Sequence, residues 1–322
     1  MRKSTCCAAK IRRFSGRRRQ CIHCLRTWRV RLKKRGRRTL RTDDRLLKRV
    51  FIDHRSLTQI ARQRRLTRQA LSYRFLRALE ARFDFQALSQ DNDDQLILLA
   101  DGLWFRFKGR PWVLYLMALR PVNADTATFM NPLLVEGSES MQGWQKAIAT
   151  IPSDRRKRIC ALVGDNFKGC RSIAEENGWI LQLCHFHLIA QLERAVGKRF
   201  STVKAPGLRR EAYRFVKKAL LSNDGAELQR ILYCLKILIA EPAMPIIYKR
   251  AIRGFFRHLD HYHAYQAYPH FRLPRTNNTS EAMGRRIRDL LSRTRALSSP
   301  QSLKLWARHC VKLKPTIACR PA

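Results

Sequence analysis

From residue 96 onward the chain alternates apolar runs with short polar breaks. Leu96-Ile97-Leu98-Leu99-Ala100 leads into Asp101-Gly102, and Leu103-Trp104-Phe105 continues the apolar character. A run of this length next to turn residues predicts a buried strand, here one ending at an aspartate. Lys108-Gly109-Arg110-Pro111 breaks the pattern, and Trp112 to Leu119 predicts a second strand joined to the first as a hairpin. Met141, Trp144, Ala147 and Ile148 then share one face of a helix predicted over Ser140 to Ile151. Arg158 to Gly164 is a further buried strand, with Asp165 at its end. Ile173 to Asn177 reads as a short helix stopped by Gly178, and Trp179 to Leu183 as another strand. Residues 188–270 are helical in pattern and rich in basic and aromatic residues, and a long basic helix starts near Glu281. Within 255–271, His258, His261, His263 and His270 cluster among tyrosines, fitting an amphipathic core helix or a surface for stacking bases.

Upstream, residues 56–79 predict two helices and a tight turn. Ser56 caps the first and Thr67 the second, while Ile60, Leu66, Leu71, Phe75 and Leu79 pack the pair. The pattern resembles a helix-turn-helix, with Arg68, Gln69 and Ser72 near the start of the second helix, where base edges are reached. Arg65 stands where glycine often sits in the turn, and a generic helical hairpin fits the same residues. Farther upstream, Cys21-Ile22-His23-Cys24 is a CxxC followed by Trp28, with Cys6 and Cys7 before it. Two thiolate pairs can hold one zinc tetrahedrally, which makes Cys6, Cys7, Cys21 and Cys24 the candidate ligands. Ser4 occupies the place that would complete a CxxC with Cys7, and free thiols in a basic arm are the alternative.

Charge adds a partner to this order of elements. The 322 residues include 66 Lys+Arg and 24 Asp+Glu, a formal net charge of +42 that draws polyanions, nucleic acid first. Residues 1–90 hold 28 basic and 5 acidic side chains, 91–170 hold 10 and 9, and 171–322 hold 28 and 10. The net values are therefore +23, +1 and +18: two basic arms around a neutral middle. Lys33-Lys34-Arg35-Gly36-Arg37-Arg38 has no acid to offset its repulsion, and phosphates that it neutralised would release counterions. A hydrophobic fraction of 45 % excludes a disordered basic tail. No run of about 18 apolar residues occurs and the N-terminal residues hold no apolar signal segment, so a cytoplasmic, nucleoid-associated protein is expected, with no membrane span. The ten cysteines then read as thiols or metal ligands rather than disulfides.

The neutral middle carries the chemistry. Asp101 and Asp165 stand at predicted strand ends, and Glu281 opens the basic helix within Thr276-Asn277-Asn278-Thr279-Ser280-Glu281. Carboxylates converging from such positions hold divalent metals, and a pair of metals can activate the attacking oxygen and stabilise the leaving oxygen of a phosphodiester. Asn278-x-x-Glu281 also matches a capping box, which would give the glutamate a structural role as well. Hairpin, helix, strand, helix, strand is the order of an α/β, RNase H-like fold.

Asp101-Gly102 and Val163-Gly164-Asp165 after apolar strands, with Asn277-Asn278-x-x-Glu281 before an Arg-rich helix, resemble the DDE transposases of bacterial insertion sequences, in particular the Mutator-like group. Cys184-His185-Phe186-His187 is similar to that group's C/DxxH motif, with Cys184 and His187 in the matching places. The segment from Cys21 to Trp28 resembles the end of the zinc ribbons that precede some transposase domains. The resemblance covers roughly 96–310. It implies an RNase H-like catalytic domain over 91–322 with an all-helical insertion at about 190–270. A zinc-ribbon-like segment over 1–45 and a helix-turn-helix domain over 46–90 would precede it. It further implies metal-dependent cleavage and strand transfer, with Asp101, Asp165 and Glu281 holding two Mg²⁺ (or Mn²⁺) and His187 and Cys184 beside them. Arg285, Arg286 and Arg288 would lie along the DNA. The implied partners are terminal inverted repeats, target DNA and a second copy of the chain, since synapsis of two ends needs at least a homodimer. Two alternatives stay open: a decayed or domesticated transposase that only binds DNA, and a nuclease that cuts without joining.

Overall fold

A computed structural model of the chain describes residues 10–15, 18–29, 39–81, 94–196, 206–294 and 299–319. The chain divides once, into Met1–Lys48 and Arg49–Ala322. The second unit therefore includes both the helix pair and everything after it, whereas the sequence suggested a further boundary near residue 90.

In the first unit, β1 (Ile11–Ser15), β2 (Arg18–Cys21) and β3 (Thr27–Arg29) form an antiparallel sheet in that order. Arginines fill half of the exposed strand positions, so no hydrophobic alternation announced these strands. Gln20 ties the sheet together: its Oε1 accepts from Arg12 Nε at 3.0 Å and its Nε2 donates to the Leu25 carbonyl at 2.9 Å. Cys21 ends β2 as a buried thiol and Cys24 is exposed in the following turn. Cys6 and Cys7, the rest of the proposed zinc set, lie outside the described residues, as does Ser4. Helix α1 (Thr39–Phe51) spans the division between the units and had no counterpart in the sequence reading.

The second unit opens with α2 (Leu57–Gln63) and α3 (Arg68–Glu80). Ser56 forms a reciprocal capping box with Gln59, and Thr67 Oγ1 accepts from the Ala70 amide at 3.2 Å, both at the positions expected. Ile60, Leu71, Phe75 and Leu79 are buried as expected, but Leu66 is not, being 43 % exposed. Arg65 adopts the left-handed conformation (φ 52°) that glycine takes without strain, and the turn built on it leaves Leu66 facing solvent.

A seven-stranded mixed sheet follows, making the unit mixed α/β. Its strands are β4 (Leu96–Phe107), β5 (Arg110–Pro121), β6 (Thr126–Phe129), β7 (Leu133–Glu136), β8 (Ile159–Gly164), β9 (Ile180–Leu183) and β10 (Thr316–Ala318). Their order is β10-β6-β5-β4-β8-β9, with β7 also paired to β5. Lys108 and Gly109 both have positive φ, as a two-residue hairpin turn requires, and they join β4 to β5. Asp101 does not end its strand, because antiparallel pairing with β5 carries β4 on to Phe107. What ends near Asp101 is the parallel pairing with β8, whose last partners are Ala100 and Gly164.

Between the strands, α4 (Met141–Ala149), α5 (Ser153–Arg156) and α6 (Cys170–Glu176) precede β9. Then α7 (His185–Val196), α8 (Pro206–Leu221), α9 (Gly225–Ala240) and α10 (Ile246–Arg257) fill the long segment read as helical. The histidine-rich stretch is not one amphipathic helix. It breaks into α11 (Leu259–Tyr262), α12 (Ala264–Ala267) and a 3-10 turn at Pro269–Phe271. There His263 Nε2 lies 3.0 Å from the Ala219 carbonyl, which engages the ring in the fold. Helices α13 (Asn278–Thr294) and α14 (Pro300–Leu313) follow and lead into β10. The ring of Trp306 in α14 packs tilted against Phe75 of α3 and Phe51, with centroids 4.8 and 5.1 Å away, joining the helix pair to the body of the unit. Fully buried Arg120 on β5 donates to the carbonyls of Cys319 and Arg272, tying the sheet to the segment that leads into α13. Among the described residues, no helix is long and apolar enough to cross a membrane.

Candidate functional site

Parallel pairing of β4 with β8 sets Ala100 opposite Gly164, so the next residues, Asp101 within β4 and Asp165 just past β8, stand at one level. A Cβ on Gly164 would come within 3.2 Å of the Ala100 carbonyl, and glycine there lets the two strands approach. Glu281 is brought to the aspartates by two contacts of α13. One is the fully buried Asn277, whose Nδ2 donates to the Ala100 carbonyl at 2.6 Å and whose backbone N–H donates to Cys184 Sγ at 3.1 Å. The other is Gly284, where a Cβ would lie 2.8 Å from Leu103 Cδ2, so that the helix rests directly on β4.

The helix starts at Asn278, which is therefore its first residue rather than its cap. The Glu281 amide donates to the Asn277 carbonyl at 3.2 Å. Its carboxylate turns to His187 Nδ1, 3.6 Å away, and to the Cys184 thiol, 4.0 Å away. The expected capping role thus gives way to a place in the site.

Asp101, Asp165 and Glu281 line one cavity of about 510 Å³, together with His187, Arg285 and Arg288. Arg286, the third arginine of the predicted set, is not on that cavity; its charge acts instead on the buried Cys310 of α14. One helical turn separates residues 281, 285 and 288 closely enough to share a face, and 286 falls off it. His185, between the two motif residues, is buried with Nε2 2.8 Å from the Tyr262 carbonyl, and burial pushes its pKa down to about 4. It braces the fold as a neutral ring.

A fourth carboxylate, Glu139, lines the same cavity and was not singled out in the sequence. Its Oε1 accepts from Trp144 Nε1 at 2.9 Å, and Trp104 also hydrogen-bonds the carboxylate. Gly102 makes room for it, since a Cβ there would lie 2.6 Å from Glu139 Oε1. An acidic residue just before a helix is an ordinary feature. The only sequence signal was the glycine directly after Asp101.

The acids are crowded and dry. Burial, then the charges of Asp165 and Glu139, push the Asp101 pKa up to about 7 against the pull of Arg288. Burial raises Asp165 to about 6. Burial and then Asp165 raise Glu139 to about 7, while burial and then Asp101 raise Glu281 to about 7. Asp165 Oδ1 is buried with no hydrogen-bond partner. An all-oxygen donor set with an unsatisfied buried acceptor suits a hard divalent cation such as Mg²⁺ or Mn²⁺.

Elsewhere, Arg68 and Gln69 are exposed on the first turn of α3, and Ser72 is half-buried one turn on. Among the described residues, the three side chains that come together with mixed sulfur, nitrogen and oxygen donors are Cys184, His187 and Glu281, whose donor atoms lie within 4.8 Å of one another. Compared with known families and with curated proteins, the chain matches no family model and no curated sequence.

Proposed function

We propose that this protein is a transposase of the DDE type that cuts DNA at the ends of an insertion sequence and joins them to target DNA. On this reading the sheet with its flanking helices is an RNase H-like core and α7–α10 are its helical insertion. The helix pair α2–α3 is a helix-turn-helix, and the first unit is a zinc-ribbon-like arm. The observation that carries the proposal is the meeting of Asp101, Asp165 and Glu281 on one cavity with Arg285 and Arg288.

Asp101, Asp165 and Glu281 would hold the cations, and Glu139 adds negative charge to the same cavity. When bound, divalent cations of this kind activate the attacking oxygen and stabilise the leaving oxygen of a phosphodiester. The side chains do the rest. Arg285 and Arg288 take the DNA backbone into the cavity through charge-assisted hydrogen bonds. His187, whose pKa is lowered by burial and by the charge of Arg194, faces the Glu281 carboxylate across 3.6 Å. Arg68, Gln69 and Ser72 contact the element end, and the basic arms add salt-sensitive backbone affinity. Water is the nucleophile in cleavage and the freed 3′-OH in joining. Two ends held together require at least two copies of the chain.

The test uses end-labelled element DNA, a target plasmid and Mg²⁺. Wild type should cut and join, and Asp165→Ala should abolish both while DNA binding persists. Cleavage by Asp165→Ala would overturn the assignment of the acids. Binding without cutting by wild type would make the protein a DNA-binding factor, and cutting without joining would make it a nuclease.

A further inference from the structure

A divalent cation held by the carboxylates leaves the sulfur and imidazole beside Glu281 unused. Cys184 is the last residue before α7 and is 1 % exposed, an unusual place for a side chain with a role in solvent chemistry. Its sulfur accepts the Asn277 N–H at 3.1 Å and is also approached by the backbone N–H groups of Phe186 and His187. Converging N–H donors at a helix N-terminus stabilise a thiolate. His187 Nδ1 is buried and has no hydrogen-bond partner, although Glu281 Oε1 lies 3.6 Å away. A neutral imidazole nitrogen left unpaired beside a thiol and a carboxylate is the arrangement a metal would satisfy.

We propose that Cys184, His187 and Glu281 form a second metal site, selective for zinc-like dications. The chain supplies one sulfur, one nitrogen and one oxygen, and two of the three residues, His187 and Glu281, line the cavity. Three protein ligands with an open position are a recurrent arrangement for Zn²⁺, and a thiolate excludes Mg²⁺ and Ca²⁺ as natural occupants. Binding releases the Cys184 thiol proton to solvent as the S–metal bond forms, with no change of oxidation state.

Glu281 cannot serve both sites fully. A zinc ion that takes its carboxylate withdraws the third acid from the oxygen-lined site, so zinc should inhibit Mg²⁺-dependent chemistry in competition with Mg²⁺. This consequence rests on the function proposed above; the site itself does not.

The test is cobalt(II) titration of the full chain carrying Cys21→Ser and Cys24→Ser, which removes the thiols of the N-terminal CxxC. A near-ultraviolet thiolate charge-transfer band and visible bands of tetrahedral type are expected. Adding Cys184→Ser should abolish the charge-transfer band. Adding Asp101→Asn with Asp165→Asn should leave it in place, which separates this site from the oxygen-lined one. In the same Cys21→Ser, Cys24→Ser chain, zinc K-edge spectroscopy after zinc loading should find a sulfur scatterer at about 2.3 Å that Cys184→Ser removes. No thiolate band together with no sulfur scatterer would overturn the site, whatever the protein does to DNA. If the site binds cobalt but zinc inhibition of cleavage does not diminish as Mg²⁺ is raised, the competition is wrong.

Discussion

Gly284 links the packing of the fold to the placement of Glu281, and its replacement by alanine separates the two. The new Cβ would lie 2.8 Å from Leu103 Cδ2, 3.3 Å from Cδ1 and 3.5 Å from Cγ. Non-bonded carbons prefer about 3.5–4.0 Å, and Leu103 is only 2 % exposed, so it has little room to turn aside. Helix α13 must retreat from β4 by several tenths of an ångström. Overpacking of this kind costs about 1–3 kcal/mol, while alanine returns about 1 kcal/mol of helix propensity. The expected net loss of stability is about 0–2 kcal/mol, measured by urea denaturation. Glu281 sits one turn before the contact and moves with it, and a misplacement of about 1 Å can cost about 100-fold in rate. Cleavage of labelled end DNA in saturating Mg²⁺ should therefore fall far more than stability does. Leu103→Ala removes the atoms that clash, so the double variant should be more active than Gly284→Ala alone. The two substitutions should couple by about 0.5–3 kcal/mol in stability. Full activity in Gly284→Ala, or strictly additive stabilities, would refute the claim that this contact places the glutamate.

Asp101→Asn should stabilise the metal-free protein, and the gain should depend on pH. The folded carboxyl has a pKa of about 7 against an ordinary 3.8, so the penalty is absent below about pH 4 and grows until about pH 7. That displacement corresponds to at most about 4 kcal/mol, so thermal scans in EDTA should show the variant melting several degrees higher at pH 8 and equal to wild type near pH 4. A gain that fails to grow with pH would contradict the reading. Glu139→Gln should weaken Mn²⁺ binding by about 10-fold in calorimetric titration, as loss of a supporting carboxylate does, and unchanged affinity would remove Glu139 from the site. Arg120→Met leaves the carbonyls of Cys319 and Arg272 without their donor and should cost about 3 kcal/mol in chemical denaturation.

The long apolar runs were legible because burial on both faces leaves a continuous hydrophobic signal, and they gave β4, β5 and β8 together with two acids of the site. The charge of Asp101 breaks the apolar run and so suggests a strand end; pairing with β5 on the far side keeps the backbone extended past it. The short strands β6, β7 and β10 were not legible, being three or four residues long with partly exposed positions and no period to detect. The caps at Ser56 and Thr67 could be read locally, since a cap is made by residues three apart. Glu139 could not. What marks it out is the notch at Gly102 and the indoles of Trp104 and Trp144, and two of these three lie on a different element.

The same contrast explains how the site is held together. Its four carboxylates repel one another and were moved out of water, so nothing in their own interactions favours the arrangement. The assembly is instead imposed by the surrounding scaffold. Register between β4 and β8 brings in Asp101 and Asp165, Asn277 and Gly284 fix the start of α13, and Gly102 with two indoles admits Glu139. Each of these devices is apolar packing or a hydrogen bond made by a neutral group, and none weakens when the acids ionise. Scaffold energy therefore sustains a concentration of negative charge that is unfavourable until a cation arrives. In a chain with a net charge of +42, free DNA-binding arms alone would need no such investment in its neutral middle. A dication bound there should stabilise the fold as it neutralises the acids, so the melting temperature should rise with Mn²⁺ in wild type and much less in Asp101→Asn.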